Sequence, residues 1–410
     1  MEGEVNVGVQ DSTRGLEEDF GGCSKTLGDT WARLRRLRLT SILTSILKSR
    51  ERTWCVVMVT MVVIVLSRTL QGHTDNLPSL YARDNVVLWD LQQQEDVLKR
   101  ENDMNGNLSE RWTDAANNTV EKRALRYVIE EPDLCRRYSD LEIISYVHSS
   151  PAMKQNRQLI RNTWGNLRYY QYIRMRVIFV FGAAKSADEQ KKISEESDTY
   201  RDIIQLDFVD SYKNLSYKGV GALQWISEHC MHARWILKSD DDIVINVFSL
   251  VAFLKYYAAW ETSANGAPPS KLLCAVWWGM PVLRGTGCAK WCVSMDEFPN
   301  STFPTYCSGC AFVIPTYLAP RLYNAFFRVR FLWVDDAFIS GVMAKAAGIS
   351  HQPLHSLYEL NHHLIEKNMI YGNRLFCHHP GAAGARAKWW PRIVLKETRH
   401  LPNSSEEVYS

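Results

Sequence analysis

The feature that most constrains this chain is an alternation that begins near residue 135. Short apolar runs at Ile143–Val147, Val177–Phe181, Ile203–Leu206 and Trp235–Leu237 are separated by helix-like stretches. Those stretches fall at about Met153–Trp164, Asp188–Ser197 and Lys213–Cys230. Strands without a polar face need cover on both sides, and strands joined through helices run parallel. The pattern predicts an α/β fold, a Rossmann-like and mostly parallel sheet flanked by helices. Ligands on such sheets sit beyond the carboxyl ends of the strands. That rule says where to look for chemistry.

At one such end the run Trp235–Leu237 passes into Lys238-Ser-Asp-Asp-Asp242 and resumes as Ile243–Ile245. Adjacent carboxylates repel, so they belong on a solvated turn or beside a cation. Hard oxygen ligands favour Mn²⁺ or Mg²⁺. Alternation along an extended turn predicts that Asp240 and Asp242 point one way and Asp241 the other. A metal there could bridge a diphosphate; a surface acid cluster is the bland alternative. A second acidic pair, Asp335-Asp336, follows Phe331–Val334 and opens a helix-like stretch through Ala347. Acids at a helix start are ordinarily caps. A general base is the other reading, and it needs reach to the attacking hydroxyl.

The N-terminal part reads differently. Between Arg33 and Arg52 lie seven basic residues and one acid, and an apolar run with no charge extends from there to Arg68. Basic residues ahead of an apolar run predict one membrane span with a cytoplasmic N-terminus. The 15 residues between Arg52 and Arg68 are few for a span, although snorkelling arginines and a thin early secretory membrane accommodate that. Some 50 residues precede the run, too many for a cleaved signal peptide. The expected layout is a cytoplasmic tail (1–52), a signal anchor (53–67), a polar luminal stem (68–134), a catalytic domain (135–400) and a short tail (401–410). A net charge of +3 carries no nucleic-acid signal.

Eight of the ten cysteines follow the anchor, which permits up to four disulfides in an oxidising lumen. The spacing of Cys288 and Cys292, then Cys307 and Cys310, also mimics a zinc site, but the luminal setting favours disulfides. Glycosylation sequons start at Asn107, Asn117, Asn214, Asn300 and Asn403, all after the anchor.

Five segments in one order give a sharper reading. They are Asn156–Gly165, Phe179–Gly182, Asp202–Leu215, Lys238–Asp242, and Lys290–Ser294 with Phe303–Gly309. Together they resemble the β-1,3-glycosyltransferase family, which includes the β-1,3-galactosyl- and β-1,3-N-acetylglucosaminyltransferases. The resemblance implies a GT-A fold, a UDP-sugar donor, Mn²⁺ (or Mg²⁺), and inversion at the anomeric carbon. It also implies a type II Golgi membrane protein, with galactose the first choice of sugar and N-acetylglucosamine or N-acetylgalactosamine behind it. The acceptor would be a glycan on protein or lipid, and a homo-oligomer is compatible with the family.

Carried over by position, Asp242 and Asp240 would hold the metal, with His378 or His379 as a late ligand. Arg157, Arg161, Lys238, Asp240 and Asp241 would serve the donor, although the two arginines fit a structural role as well. Asp336 would be the base. Trp291, Tyr306, Gly309 and Asp335 would lie on the acceptor side, with core packing the competing account for the aromatics. The chain departs from the family's Glu-Asp-Val at Asp335-Asp336-Ala337. That departure motivates one rival reading, a silent luminal chaperone for another transferase. A calcium-dependent glycan-binding module is the other.

Overall fold

The computed structural model describes residues 124–285, 288–361, 363–378 and 383–398. The expected tail, anchor, most of the stem, Asn107, Asn117, His379 and Asn403 lie outside them. Among the described residues no helix is long and apolar enough to cross a membrane.

The main sheet has eight strands in the order β1-β4-β3-β2-β5-β10-β7-β11. They are β1 (Tyr127–Ile129), β2 (Ile143–His148), β3 (Met175–Ala183), β4 (Ile203–Val209), β5 (Trp235–Asp240), β7 (Leu272–Cys274), β10 (Ala311–Pro315) and β11 (His351–Pro353). The expected parallel core is present: β4, β3, β2 and β5 are parallel neighbours. Helices α1 (Lys154–Asn162), α2 (Ala187–Tyr200) and α3 (Leu215–His229) make the crossovers. Every residue of β2 is buried, which is why that run shows no polar alternation. Beyond β5 the sheet turns mixed, because β10 runs antiparallel to both β5 and β7.

Two boundaries differ from expectation. β1 lies ahead of residue 135 and pairs antiparallel with β4, and Leu125 N–H donates to Gln224. The folded domain therefore starts inside the segment read as stem. Ile243–Ile245 does not resume β5 either. It forms β6 of a separate three-stranded sheet with β12 (Tyr358–Glu359) and β13 (Phe376–His378). The break is the Asp241-Asp242 turn. The Asp241 carboxylate is drawn inward by Ser149 Oγ at 2.8 Å and Asn156 Nδ2 at 2.9 Å.

Among the described residues three disulfides join Cys135 to Cys230, Cys274 to Cys307 and Cys288 to Cys292, while Cys310 and Cys377 are buried thiols. The zinc-like spacing is resolved in favour of disulfides: Cys307 pairs across to β7 rather than with Cys310. Of the sequons in view, Asn300 is exposed, and Asn214 donates its side-chain amide to the Val209 carbonyl at 2.8 Å.

Candidate active site

The carboxyl end of β5 and the loop after Val334 meet at Lys238. This lysine is 1% exposed, and its Nζ lies 2.7 Å from Asp240 Oδ1 and 3.6 Å from Asp335 Oδ2. It also donates to the Gly309 carbonyl. A buried ammonium is tolerated only where partners surround it, and here three do; burial opposes its charge, but Asp240 and then Asp335 outweigh that and raise its affinity for a proton. The sequence places Lys238 on a strand next to an acid triplet. The fold turns that into a bridge between two acid clusters far apart in the chain.

On the far side of Asp335, His148 Nδ1 approaches Asp335 Oδ2 at 3.4 Å. His148 ends β2 and is 5% exposed, so burial first, then Lys238, disfavours its charged form. Asp335 is held well below the usual carboxylate range. Burial opposes this, but Lys238 and His148 outweigh it.

Its neighbour Asp336 is displaced the other way, up to about 7, by burial and then by the Asp335 charge. Asp336 caps a π-helix over Ala337–Met343, its Oδ1 accepting from Ala337 N–H at 2.8 Å. The sequence predicts a helix-like stretch here, and the turn that forms is π-helical. π-helical turns concentrate at functional sites. Gly309 faces Asp336 so closely that a Cβ there would stand 3.1 Å from Oδ2.

Asp240 turns to Lys238, and Asp241 turns away to Ser149 and Asn156. Burial raises the pKa of both Asp240 and Asp241, so this clustered charge carries an electrostatic cost that a bound cation would relieve. Carboxylate oxygens are also the donor set that Mn²⁺ or Mg²⁺ prefers. Asp240 and Asp242 offer donors of that type. β13 runs antiparallel to β6 with His378 opposite Ile243, so the backbone at His378 passes beside the acid turn.

Three residues expected on the donor side are engaged within the protein. Arg157 is 0% exposed. Its guanidinium makes a paired contact with Glu196 at 2.8 and 2.7 Å and further bonds to Ser149 and the carbonyls of Ser150 and Pro151. Arg161 pairs with Asp202 at 2.9 and 2.8 Å and with Glu196 at 2.8 Å. The two arginines do lie on one face of α1, but they lock α1 to α2 and to the start of β4. Asp241 has both carboxylate oxygens committed to Ser149 and Asn156, and so holds the turn in shape. The Arg157 to Trp164 motif is structural in the same sense: Trp164 Nε1 donates to the Ile243 carbonyl at 3.2 Å and pins β6 beside the acids.

Aromatic side chains border the same acids. Trp291 is 50% exposed, and its Nε1 donates to Tyr212 Oη at 3.0 Å. Tyr212 in turn packs on Trp333 at 5.8 Å between ring centroids. Tyr306 is half-buried, and burial followed by the nearby Asp336 charge raises the pKa of its hydroxyl.

Sequence reading missed His148, Tyr212 and Arg386. Arg386 comes from α6 (Ala383–Thr398) and donates to the Asp241 carbonyl at 2.8 Å and to Asn156 Oδ1 at 3.0 Å. No local spacing signals a contact across 145 residues.

Residues 155–355 match the galactosyltransferase family model. Over 225 residues the chain is 30% identical to β-1,3-galactosyltransferase 5 of Pan paniscus, an alignment covering 55% of this chain and 71% of that protein. The chain belongs to the β-1,3-glycosyltransferase family. Other relatives within this hexosyltransferase family are similar as well. β-1,3-Galactosyltransferase 2 of Homo sapiens is 25% identical over 293 residues, covering 69% of this chain and 65% of that protein. Lactosylceramide 1,3-N-acetyl-beta-D-glucosaminyltransferase of Xenopus tropicalis is 32% identical over 235 residues, covering 55% and 60%. The chain thus spans about two thirds of the length of the first of these two, 65%. Both acid clusters, Asp240–Asp242 and Asp335-Asp336, fall inside the family-model match.

Proposed function

We propose that this chain is a metal-dependent, inverting β-1,3-glycosyltransferase with a GT-A type fold, anchored in the Golgi membrane by one N-terminal span. It would move a hexose, galactose first, from a UDP-sugar to the 3-hydroxyl of a glycan acceptor. The alternative sugars are N-acetylglucosamine and N-acetylgalactosamine. The observation that carries this reading is the Lys238 bridge. It sets Asp240, at the end of a parallel strand, beside Asp335 of the second acid pair.

The chemistry follows from the charges. Asp336, with a pKa of about 7, is matched to taking a proton from a hydroxyl near neutral pH. As the acceptor 3-oxygen bonds to the anomeric carbon, its proton passes to the Asp336 carboxylate. The bond from that carbon to the UDP oxygen breaks, and its electron pair leaves with the diphosphate. Lys238 keeps Asp335 ionised, and Asp335 keeps Asp336 basic. Gly309 leaves room for the Asp336 oxygen. A divalent ion held by Asp240 and Asp242 would supply positive charge to the diphosphate, with His378 the further ligand that the family resemblance implies.

Incubating the protein with a panel of UDP-sugars, Mn²⁺ and acceptor glycosides tests the proposal through UDP release and product linkage. Transfer lost in EDTA and in Asp242→Ala, with Asp336→Asn inactive but still binding UDP, is the expected pattern. Absence of turnover with every donor would favour the silent luminal chaperone, and Ca²⁺-dependent glycan binding without UDP affinity the binding module.

A further inference from the structure

The short loop that carries Lys290 and Trp291 is closed by a disulfide between residues only 4 apart, Cys288 and Cys292. Between them the backbone makes one 3-10 turn, Ala289–Trp291, with Trp291 N–H donating to the Cys288 carbonyl at 3.0 Å. A turn this short has little backbone bonding of its own, yet it holds a half-exposed tryptophan in one place. The other two disulfides are fully buried, as structural crosslinks are. This one ties a surface loop.

What the loop holds is specific. Trp291 Nε1 donates to Tyr212 Oη, and Tyr212 is itself 44% exposed. Lys290 Nζ lies 5.1 Å from the Tyr212 ring centroid and 4.8 Å from that of Trp291. A second contact joins the same two loops, Lys213 Nζ to Glu297 Oε1 at 3.0 Å. Arg284 stitches the base of the loop to the carbonyls of Val293, Phe298 and Asn300. The Tyr212 hydroxyl feels the charges of Asp335, Asp336 and Asp240, so this aromatic surface borders the acid cluster. Large exposed rings cost free energy in water unless something covers them. Their flat faces beside a hydrogen-bond donor suit the C–H face of a pyranose ring.

We propose that the Cys288–Cys292 disulfide is a positioning device for acceptor binding. It sets Trp291 against Tyr212, so that the two rings and Lys290 form a ready platform for a terminal pyranoside of the acceptor. The proposal rests on the transferase reading above and adds the element that reads the acceptor. Ordering the loop in advance removes a cost that binding would otherwise bear.

The test uses the full chain, with UDP-galactose and UDP-N-acetylglucosamine as donors. p-Nitrophenyl β-galactoside and β-N-acetylglucosaminide serve as probe acceptors. In the double variant Cys288→Ser/Cys292→Ser the acceptor KM should rise about tenfold, the size expected when a loop must be ordered on binding. Donor KM and kcat at saturating acceptor should hold. Trp291→Ala, which keeps the disulfide, should raise acceptor KM in the same direction, and Trp291→Phe should raise it less. An unchanged acceptor KM in the double variant and in Trp291→Ala, or an equal loss in donor KM, would overturn the proposal. A wild-type chain that hydrolyses or transfers no UDP-sugar would instead remove the transferase reading itself.

Discussion

Replacing Asp336 by Asn should stabilise the protein while abolishing transfer, and the gain should depend on pH in a fixed direction. Burial and Asp335 move the Asp336 pKa from 3.8 to about 7. The folded state therefore binds this proton more tightly than the unfolded chain does. Between those two values folding takes up a proton, so stability falls as pH rises; the penalty is absent below 3.8 and complete above about 7. A displacement of about three pH units corresponds to about 4 kcal/mol, at 1.36 kcal/mol per unit. Relaxation of a strongly coupled acid pair brings a realistic figure to about 2–4 kcal/mol. Asn keeps the shape and still accepts the Ala337 N–H, so the charge is the main change. Urea unfolding of wild type and Asp336→Asn in EDTA at pH 4, 6 and 8 should show curves that coincide at pH 4 and separate upward. In the wild-type enzyme kcat/KM should rise with pH up to about 7. A pH-independent difference, or an Asn variant less stable at pH 8, would refute the reasoning.

Three further outcomes follow from the same geometry. Lys238→Met leaves Asp240 and Asp335 without their shared cation and should cost about 3–5 kcal/mol in urea unfolding, as breaking a buried pair does. Adding Asp240→Asn should recover part of that loss. Glu196→Gln, which weakens the arginine network, should cost about 3 kcal/mol of stability yet leave donor KM unchanged; a donor KM that rises severalfold would return Arg157 or Arg161 to the donor site. Gly309→Ala places a methyl 3.1 Å from Asp336 Oδ2. It should lower kcat more than stability, measured by transfer rate beside thermal midpoint.

What the sequence made legible was whatever period and local order can encode. The parallel core was readable because runs such as Val177–Phe181 have no polar face, and burial on both sides forbids one. The acid turn after β5 was readable because carboxylates cannot sit inside such a run. The direction of β6 was not, because Ile243–Ile245 is equally apolar whether it continues a sheet or begins another. The deciding contacts, Ser149 and Asn156 on Asp241, come from about 90 residues away, at separations of 92 and 85. The arginines stayed open between two roles for a physical reason. A basic pair on one helix face satisfies an anion from a ligand or from Glu196 and Asp202 equally well, and only the fold says which is present. His148 gave no signal, since a lone histidine at a strand end is compatible with any role.

The charges around Lys238 explain why a base near neutrality arises here at all. One ammonium faces Asp240 and Asp335 directly, and Asp336 lies next to Asp335 in the chain. With all three acids ionised the pocket would hold two more negative charges than positive. Lys238 sits closest to Asp240, with Asp335 next, and His148 adds its weight to Asp335. Burial pushes both Asp240 and Asp336 up, Asp336 to about 7, while Asp335 alone is held down. Burial is the first cause of the basicity of Asp336, and its neighbour's stability as an anion adds to it. The two members of the Asp335-Asp336 pair are driven apart by environment rather than by type, so a single lysine can fix which carboxylate holds a proton and which cannot.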